Sequence, residues 1–270
     1  MVLPLLGLLL QQHLALASDA PAGAGAPAVA AAPSAPPEKG VGFVRGTLGA
    51  NCSDMAALGT SWFYNWKPQD PCPPAQPGFV PMIWSQDFVS DIPKLRGKNY
   101  SALLGFNEPD NKGQSDMTVE QALSLWPQLE AANLRLGSPA CTEGGTFGWL
   151  RQFMTAARER KLRVDFLALH WYGNCSQPQS LGAFLHKAHA EFGLPMWLTE
   201  FSCMEGDFDV NAKFLRAALP ILERAPGLER YAWFADRWPS DESIYKGVSL
   251  FDESGGLTVV GDVYREGTST

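Results

Sequence analysis

Two glutamates in this sequence stand where chemistry can use them. Glu108 follows the apolar run Ala102 to Phe106 and Asn107, and Pro109 and Asp110 come next. Glu200 ends the run Pro195-Met196-Trp197-Leu198-Thr199. An apolar stretch that breaks into an amide, a carboxylate and a proline reads as a buried parallel strand emerging at the carboxyl edge of its sheet. Proline has no N–H for the ladder, so pairing stops there. Two carboxylates at strand ends are what glycoside hydrolysis needs: one protonates the leaving oxygen, and the other attacks the anomeric carbon when the two lie about 5 Å apart. The blander reading of Glu108, a cap for the next helix, does not account for the second glutamate of the same design.

Other side chains belong to the same expectation. Asn107, beside Glu108, can hydrogen-bond the sugar 2-hydroxyl. His170 and Tyr172 share parity at the end of Val164 to Tyr172, and a tyrosine hydroxyl near Glu200 holds a nucleophile ionised and oriented. Trp84, Trp171 and Trp233 fall at strand ends and are expected to touch sugar rings; Trp62 and Trp66 are further candidates. Each of these aromatics, and His170, has core packing as its alternative. A cation held by Glu108, Asp110, His170 and Glu200 is a rival chemistry, because such ligands can converge at a barrel mouth; no metal and no cofactor are expected.

These residues need a scaffold. Strands are expected at Gly42 to Gly46, Ser61 to Trp66, Phe79 to Trp84, Ala102 to Glu108, Leu134 to Pro139, Val164 to Tyr172, Pro195 to Phe201 and Arg230 to Ala235. Helices are expected at Asp91 to Arg96, Thr118 to Asn133 (capped by Ser115 or Asp116), Phe147 to Lys161, Ser180 to Phe192, Asn211 to Glu223 and Thr258 to Arg265. The alternation predicts a single compact (β/α)8 TIM-type barrel of the α/β class, irregular in its first units. Glu108 then falls on the fourth strand and Glu200 on the seventh, facing each other across the mouth. A doubly wound open sheet fits less well, because no Gly-rich phosphate loop follows any strand.

Leu103-Leu104-Gly105-Phe106-Asn107-Glu108-Pro109-Asp110, Leu169-His170-Trp171-Tyr172-Gly173, Trp197-Leu198-Thr199-Glu200-Phe201 and Arg230-Tyr231-Ala232-Trp233-Phe234, in this order, resemble glycoside hydrolase family 128. Gly137-Ser138-Pro139-Ala140 and Gly255-Gly256-Leu257-Thr258 match it too, so the resemblance runs from about residue 42 to 265. It implies a compact barrel and endo-acting hydrolysis of β-1,3-glucan with retention, with Glu108 as acid/base and Glu200 as nucleophile. A barrel that binds β-glucan without cutting it is the alternative; release of reducing ends from laminarin or curdlan separates the two.

Composition bounds the rest. The 270 residues are 46% hydrophobic and 11% aromatic, enough for one large domain with a sizeable core. Lys+Arg 21 against Asp+Glu 28 gives a net charge of -7, and with no basic run nucleic acid is not an expected partner. Residues 1–17 read as a secretory signal, Leu-rich and closing on Ala15-Leu16-Ala17, although no Lys or Arg precedes the apolar run. The rival, a membrane anchor, is interrupted by Gln11, Gln12 and His13 and is short for a span. Residues 18–39 read as a disordered Ala/Pro-rich linker, and residues 40–270 as the catalytic domain. A secreted monomer acting on extracellular or cell-wall glucan is expected. Five cysteines predict two disulfides and one thiol. Loops after neighbouring strands favour Cys175–Cys203 and Cys52–Cys72 with Cys141 free; Cys141–Cys175 is the rival. Asn51, Asn99 and Asn174 begin glycosylation sequons.

Overall fold

The computed structural model describes residues 35–44, 51–72, 78–203, 205, 207–238 and 246–267, all within one unit, Ser34–Thr270. The expected signal segment and residues 18–34 of the expected linker lie outside the described residues. β1 (Glu38–Gly42), β2 (Trp62–Tyr64), β5 (Leu167–Tyr172), β6 (Met196–Ser202) and β7 (Leu228–Trp233) form a parallel sheet in the order β2-β1-β7-β6-β5. β3 (Ala102–Leu103) and β4 (Arg135–Leu136) form a separate parallel pair. Isolated parallel bridges, Phe63 to Phe79, Met82 to Leu104 and Gly137 to Phe166, lie between these pieces. Among the described residues the ladders form no continuous closed ring.

The expectations for two strands need correction. β1 begins at Glu38, inside the stretch read as linker, because Glu38 and Lys39 pair with Arg230 and Tyr231 of β7. The expected third strand is reduced to single bridges around Pro81. Val80 N–H donates to Phe63 O at 2.9 Å and Ile83 N–H to Leu104 O at 3.0 Å, but Pro81 has no N–H and only accepts, from Leu104 N–H at 2.9 Å.

The helices are α1 (Asp54–Leu58), α2 (Val119–Glu130), α3 (Arg151–Glu159), α4 (Gln179–Phe192), α5 (Phe208–Leu222) and α6 (Val259–Glu266), with a 3-10 helix over Gln86–Leu95 and a π-helical turn, Thr146–Leu150, leading into α3. α2 is capped by neither Ser115 nor Asp116. Thr118 Oγ1 accepts from Gln121 N–H at 3.2 Å, and Gln121 Oε1 accepts from Thr118 N–H at 2.7 Å, a reciprocal capping box.

The strands divide their side chains between two faces. Trp62, Tyr64, Met82, Leu104, Phe166, Ala168, Trp197 and Ala232 pack together on one face. Phe63, Leu103, Leu167, Leu169, Leu198, Phe201 and Trp233 pack on the other, among Trp126, Phe153, Leu185, Phe214 and Leu219 of the helices. Among the described residues, no helix is long and apolar enough to cross a membrane.

Candidate active site

Strict alternation along β6 puts Trp197 on one face and Leu198 on the helix face, so Glu200 should follow Leu198 into the helices. It does not. Leu169 pairs with Leu198, but His170 pairs with Glu200, so Thr199 is an extra residue, a β-bulge. The bulge turns Glu200 onto the face shared by Ala168, His170 and Tyr172, as bulges beside active sites commonly re-aim a side chain. Glu108 arrives differently. It lies five residues beyond β3, where Asn107 bridges Ala140 and Glu108 N–H donates to Ala140 O at 2.6 Å. Its φ of 41° is in the left-handed region, which begins a turn closed by Asn111 N–H on Glu108 O at 3.0 Å.

The two carboxylates meet around His170. Its Nδ1 is 3.0 Å from Glu108 Oε1 and its Nε2 is 3.4 Å from Glu200 Oε1. One oxygen of each glutamate and a ring nitrogen all lie within 4.8 Å of one another. Two carboxyl groups this close can act on one bond together, as glycoside hydrolysis by a carboxylate pair requires.

Glu200 is surrounded by donors. The Tyr172 hydroxyl donates to Oε2, and Trp66 Nε1–H donates to Oε1 at 2.7 Å. The Tyr64 hydroxyl lies 3.2 Å from Oε1 and 2.9 Å from the carbonyl of the bulge residue, Thr199. Burial and then the charge of Glu200 push both tyrosines well above their ordinary pKa, so they remain donors. Glu108 receives the Asn111 amide on Oε2 at 3.1 Å. Burial pushes the Glu108 carboxyl up, but the hydrogen bond and charge of His170, with Asn111, outweigh it and hold the group below its ordinary value. For His170, burial favours the neutral ring, but the charges of Glu200 and Glu108 prevail and raise it above its ordinary value.

A cavity of about 570 Å³ opens over the pair, lined by Val44, Trp66, Trp84, Asn107, Glu108, Gln114, Tyr172, Glu200, Phe234 and Trp238. Asn107 donates to Gln114 Oε1 at 3.3 Å and keeps a buried Oδ1 without a protein partner. Of the expected aromatics, Trp84 and Trp66 reach this cavity. Trp171 and Trp233 do not line it. Trp171 lies between His170 and Tyr172 on β5, so it faces the helices, fully buried and stacked on Phe214 at 5.5 Å. Trp233 is fully buried with its Nε1–H on Val248 O at 2.7 Å, and Trp62 is core. His170 is fully buried and meets the carboxylates rather than the cavity. Tyr64, Asn111, Gln114, Phe234 and Trp238 were not anticipated. The only hint of Tyr64 is the aromatic density of Trp62 to Trp66.

Glu108, His170 and Glu200 are also the group nearest to a metal-ligand set among the described residues. They fit a cation poorly. Both oxygens of Glu200 already accept from Trp66, Tyr64 and Tyr172, and the surrounding hydrogens repel a positive ion.

Disulfides brace the loops beyond these strands. Cys175 pairs with Cys203 (Cα–Cα 4.9 Å) and Cys52 with Cys72 (Cα–Cα 5.7 Å), while Cys141 is a buried free thiol that burial pushes well above its ordinary pKa. Asn51, Asn99 and Asn174 are exposed. A second cavity, of about 590 Å³, lies among the strand starts, but its charges are paired: Arg135 with Glu229 at 2.7 Å and Arg230 with Glu38 at 3.0 Å.

Comparison with known proteins adds to this geometry. The profile of a family described as the glycosyl hydrolase catalytic core matches residues 40–264. An endo-β-1,3-glucanase of glycoside hydrolase family 128 from Amycolatopsis mediterranei, solved with laminarihexaose, is 34% identical, covers 84% of this chain and 98% of its own, and superposes with a TM-score of 0.74. A family 128 endo-β-1,3-glucanase from Sorangium cellulosum is 29% identical with a TM-score of 0.75, covering 85% of this chain and 98% of its own. A curdlan-specific exo-β-1,3-glucanase of the same family from Blastomyces gilchristii is 29% identical with a TM-score of 0.69, covering 84% and 97%. A curated relative, alkali-sensitive linkage protein 1 of Schizosaccharomyces pombe, is 29% identical over 240 residues, which are 84% of this chain and 44% of that protein. This chain thus spans less than half the length of that relative.

Proposed function

The chain belongs to glycoside hydrolase family 128 and carries its catalytic core, and from that premise we propose that it is a retaining, endo-acting β-1,3-glucanase using Glu108 as acid/base and Glu200 as nucleophile. The observation that carries this reading is the carboxylate pair, within 4.8 Å, at the floor of an aromatic-walled cavity. Solved relatives bind laminari-oligosaccharides, which supports β-1,3-glucan as the substrate class. We also propose that the isolated bridges flanking β3 and β4 complete a (β/α)8 barrel around this floor.

In the first step, Glu200 attacks the anomeric carbon while the bond to the leaving oxygen breaks and Glu108 delivers a proton to that oxygen. The donors from Tyr172, Trp66 and Tyr64 hold Glu200 aimed at the cavity. His170 Nδ1, 3.0 Å from Glu108 Oε1, is the group placed to pass Glu108 the proton it needs. Covering the cavity with substrate removes water from Glu108 and favours its neutral, proton-bearing form. In the second step, the Glu108 carboxylate takes a proton from water, the water oxygen attacks the anomeric carbon, and Glu200 leaves as a carboxylate. Trp84, Trp66, Phe234 and Trp238 supply apolar walls for sugar rings, and the free Oδ1 of Asn107 accepts from a sugar hydroxyl.

The enzyme acts on extracellular or cell-wall glucan after secretion as a monomer, in keeping with its two disulfides and exposed sequons. Product analysis on laminarin, curdlan and β-1,4-glucan tests the function. Early release of mixed oligosaccharides from the β-1,3-linked substrates alone is expected. Release of glucose only would make the enzyme exo-acting, and no cleavage would leave a glucan-binding barrel.

A further inference from the structure

The turn that follows Glu108 is tied to its carboxyl by one side chain. Asn111 Oδ1 accepts from Gly113 N–H at 2.9 Å, which fixes the amide and leaves Nδ2 facing Glu108 Oε2 at 3.1 Å. Its backbone is fixed as well, donating to Glu108 O and accepting from Gln114 N–H, each at 3.0 Å. The amide cannot flip without losing the Gly113 bond, so Oε2 meets an N–H donor whatever the protonation state of Glu108.

A fixed donor bonds a carboxylate better than a neutral carboxyl. We propose that Asn111 is a positioning residue for Glu108, holding the carboxyl toward the cavity and biasing it to the ionised form that acts as base in the second step. The proposal rests on the reading of Glu108 as acid/base. The titratable groups around Glu108 are His170 on its other oxygen, Glu200 beyond that ring, Tyr64 and Tyr172 on the Glu200 side, and Cys141 and Asp110 on the other. Asn111 does not titrate, so it lowers the proton affinity of Glu108 at every pH, and its bond complements that of His170. One consequence is a division of labour: the proton is stored on His170 between turnovers, and Glu108 returns readily to the base it must be when water enters.

The test is carboxyl titration by 13C NMR of the full chain labelled at glutamate Cδ, with Glu108 assigned through E108Q. In Asn111→Ala the Glu108 midpoint should rise by about 0.5–1 pH unit, the scale of one hydrogen bond to a buried carboxylate that His170 also holds. Asn111→Asp keeps the acceptor for Gly113 and thus the turn, but puts a carboxylate where the donor was, so the upper midpoint of the pair should rise further. The carboxylate of Asn111→Asp raises Glu108 by repulsion in either reading, so Asn111→Ala decides: an unchanged Glu108 midpoint in that variant, with its melting temperature retained, overturns the proposal. On laminarin, the alkaline limb of kcat/KM should move up in the same order. If wild type leaves laminarin uncut, the functional reading falls, while the titration still decides the role of Asn111.

Discussion

Glu200 owes its chemistry to donors that come from far away in the chain. Tyr64 and Trp66 reach it from β2 and the residues beyond, and Tyr172 from β5. A glutamate bonded on both oxygens is held in one orientation, which is what the proposed nucleophile needs. Glu108 has fewer fixed partners and shares the His170 ring, which is what a group that must gain and lose a proton needs. Glu108→Gln and Glu200→Gln should each lower turnover by at least ~10³ on laminarin, with folding and glucan binding retained. Either variant keeping more than about a tenth of wild-type turnover would remove that residue from the mechanism. The two glutamates, Asn107 and Tyr172 were legible because a strand end exposes them to a local pattern. Tyr64 and Trp66 were not legible as partners of Glu200, because their bonds to it span 136 and 134 positions of sequence.

Elements explain the misplaced aromatics. Trp171 sits one position from His170 and Tyr172, and period two sends it to the helices, where it stacks on Phe214. Trp84 follows the broken strand around Pro81, half-buried against the core and lining the cavity. Trp171→Ala should therefore destabilise the fold by ~3–5 kcal/mol. Trp84→Ala should weaken laminari-oligosaccharide binding with the melting temperature nearly unchanged. Thermal melts paired with calorimetric binding check both, and the opposite assignment of effects would contradict the two-face packing. The helices α2 to α6 and the strands β5 to β7 were readable from their periodicity, whereas the start of β1 and the broken strand around Pro81 were not. The bulge at Thr199 was not, since a threonine in an apolar strand carries no sign that it adds a residue to the ladder. The cysteines act at the same scale. Cys203 lies three residues beyond Glu200, and Cys175 three beyond Tyr172. Replacing both by serine should cost ~2–4 kcal/mol in denaturant unfolding and lower kcat more than it raises KM. An unchanged kcat would confine the disulfide to stability.

At the scale of the molecule, the charged groups divide by end. At the strand starts, Arg230 and Arg135 lie over Trp197, at 4.1 and 5.8 Å, and each is paired with a glutamate. Beyond the end of β7, one carboxyl is less well served. Asp236 is fully buried, accepts from Val44 N–H at 2.7 Å through Oδ1, and leaves Oδ2 without a hydrogen bond. Its neighbour Arg237 is committed to Asp54, at 2.9 and 3.1 Å. Burial pushes Asp236 up to about 7. The folded chain thus holds a proton that the unfolded chain releases from about pH 4 upward, so this group lowers stability as pH rises from there to about 7. Asp236→Asn keeps the acceptor for Val44 and removes the ionisation. Its melting temperature should exceed that of wild type at pH 8, by roughly 2–4 °C for each kcal/mol relieved, and match it near pH 4. Equal melting at both pH values would place Asp236 in a wetter setting than this packing allows.

In the proposed mechanism Glu200 forms a bond to sugar and Glu108 serves it as acid and then base. The most direct measurement is covalent trapping. The full chain is incubated with a 2-deoxy-2-fluoro-β-laminaribiosyl fluoride, whose second step is slow, and then digested and mapped by mass spectrometry. The account predicts one added laminaribiosyl group, on the peptide that contains Glu200, and no label in Glu200→Gln. Label on another carboxylate, or turnover of laminarin with inversion at the anomeric carbon and no trapped adduct, would contradict it.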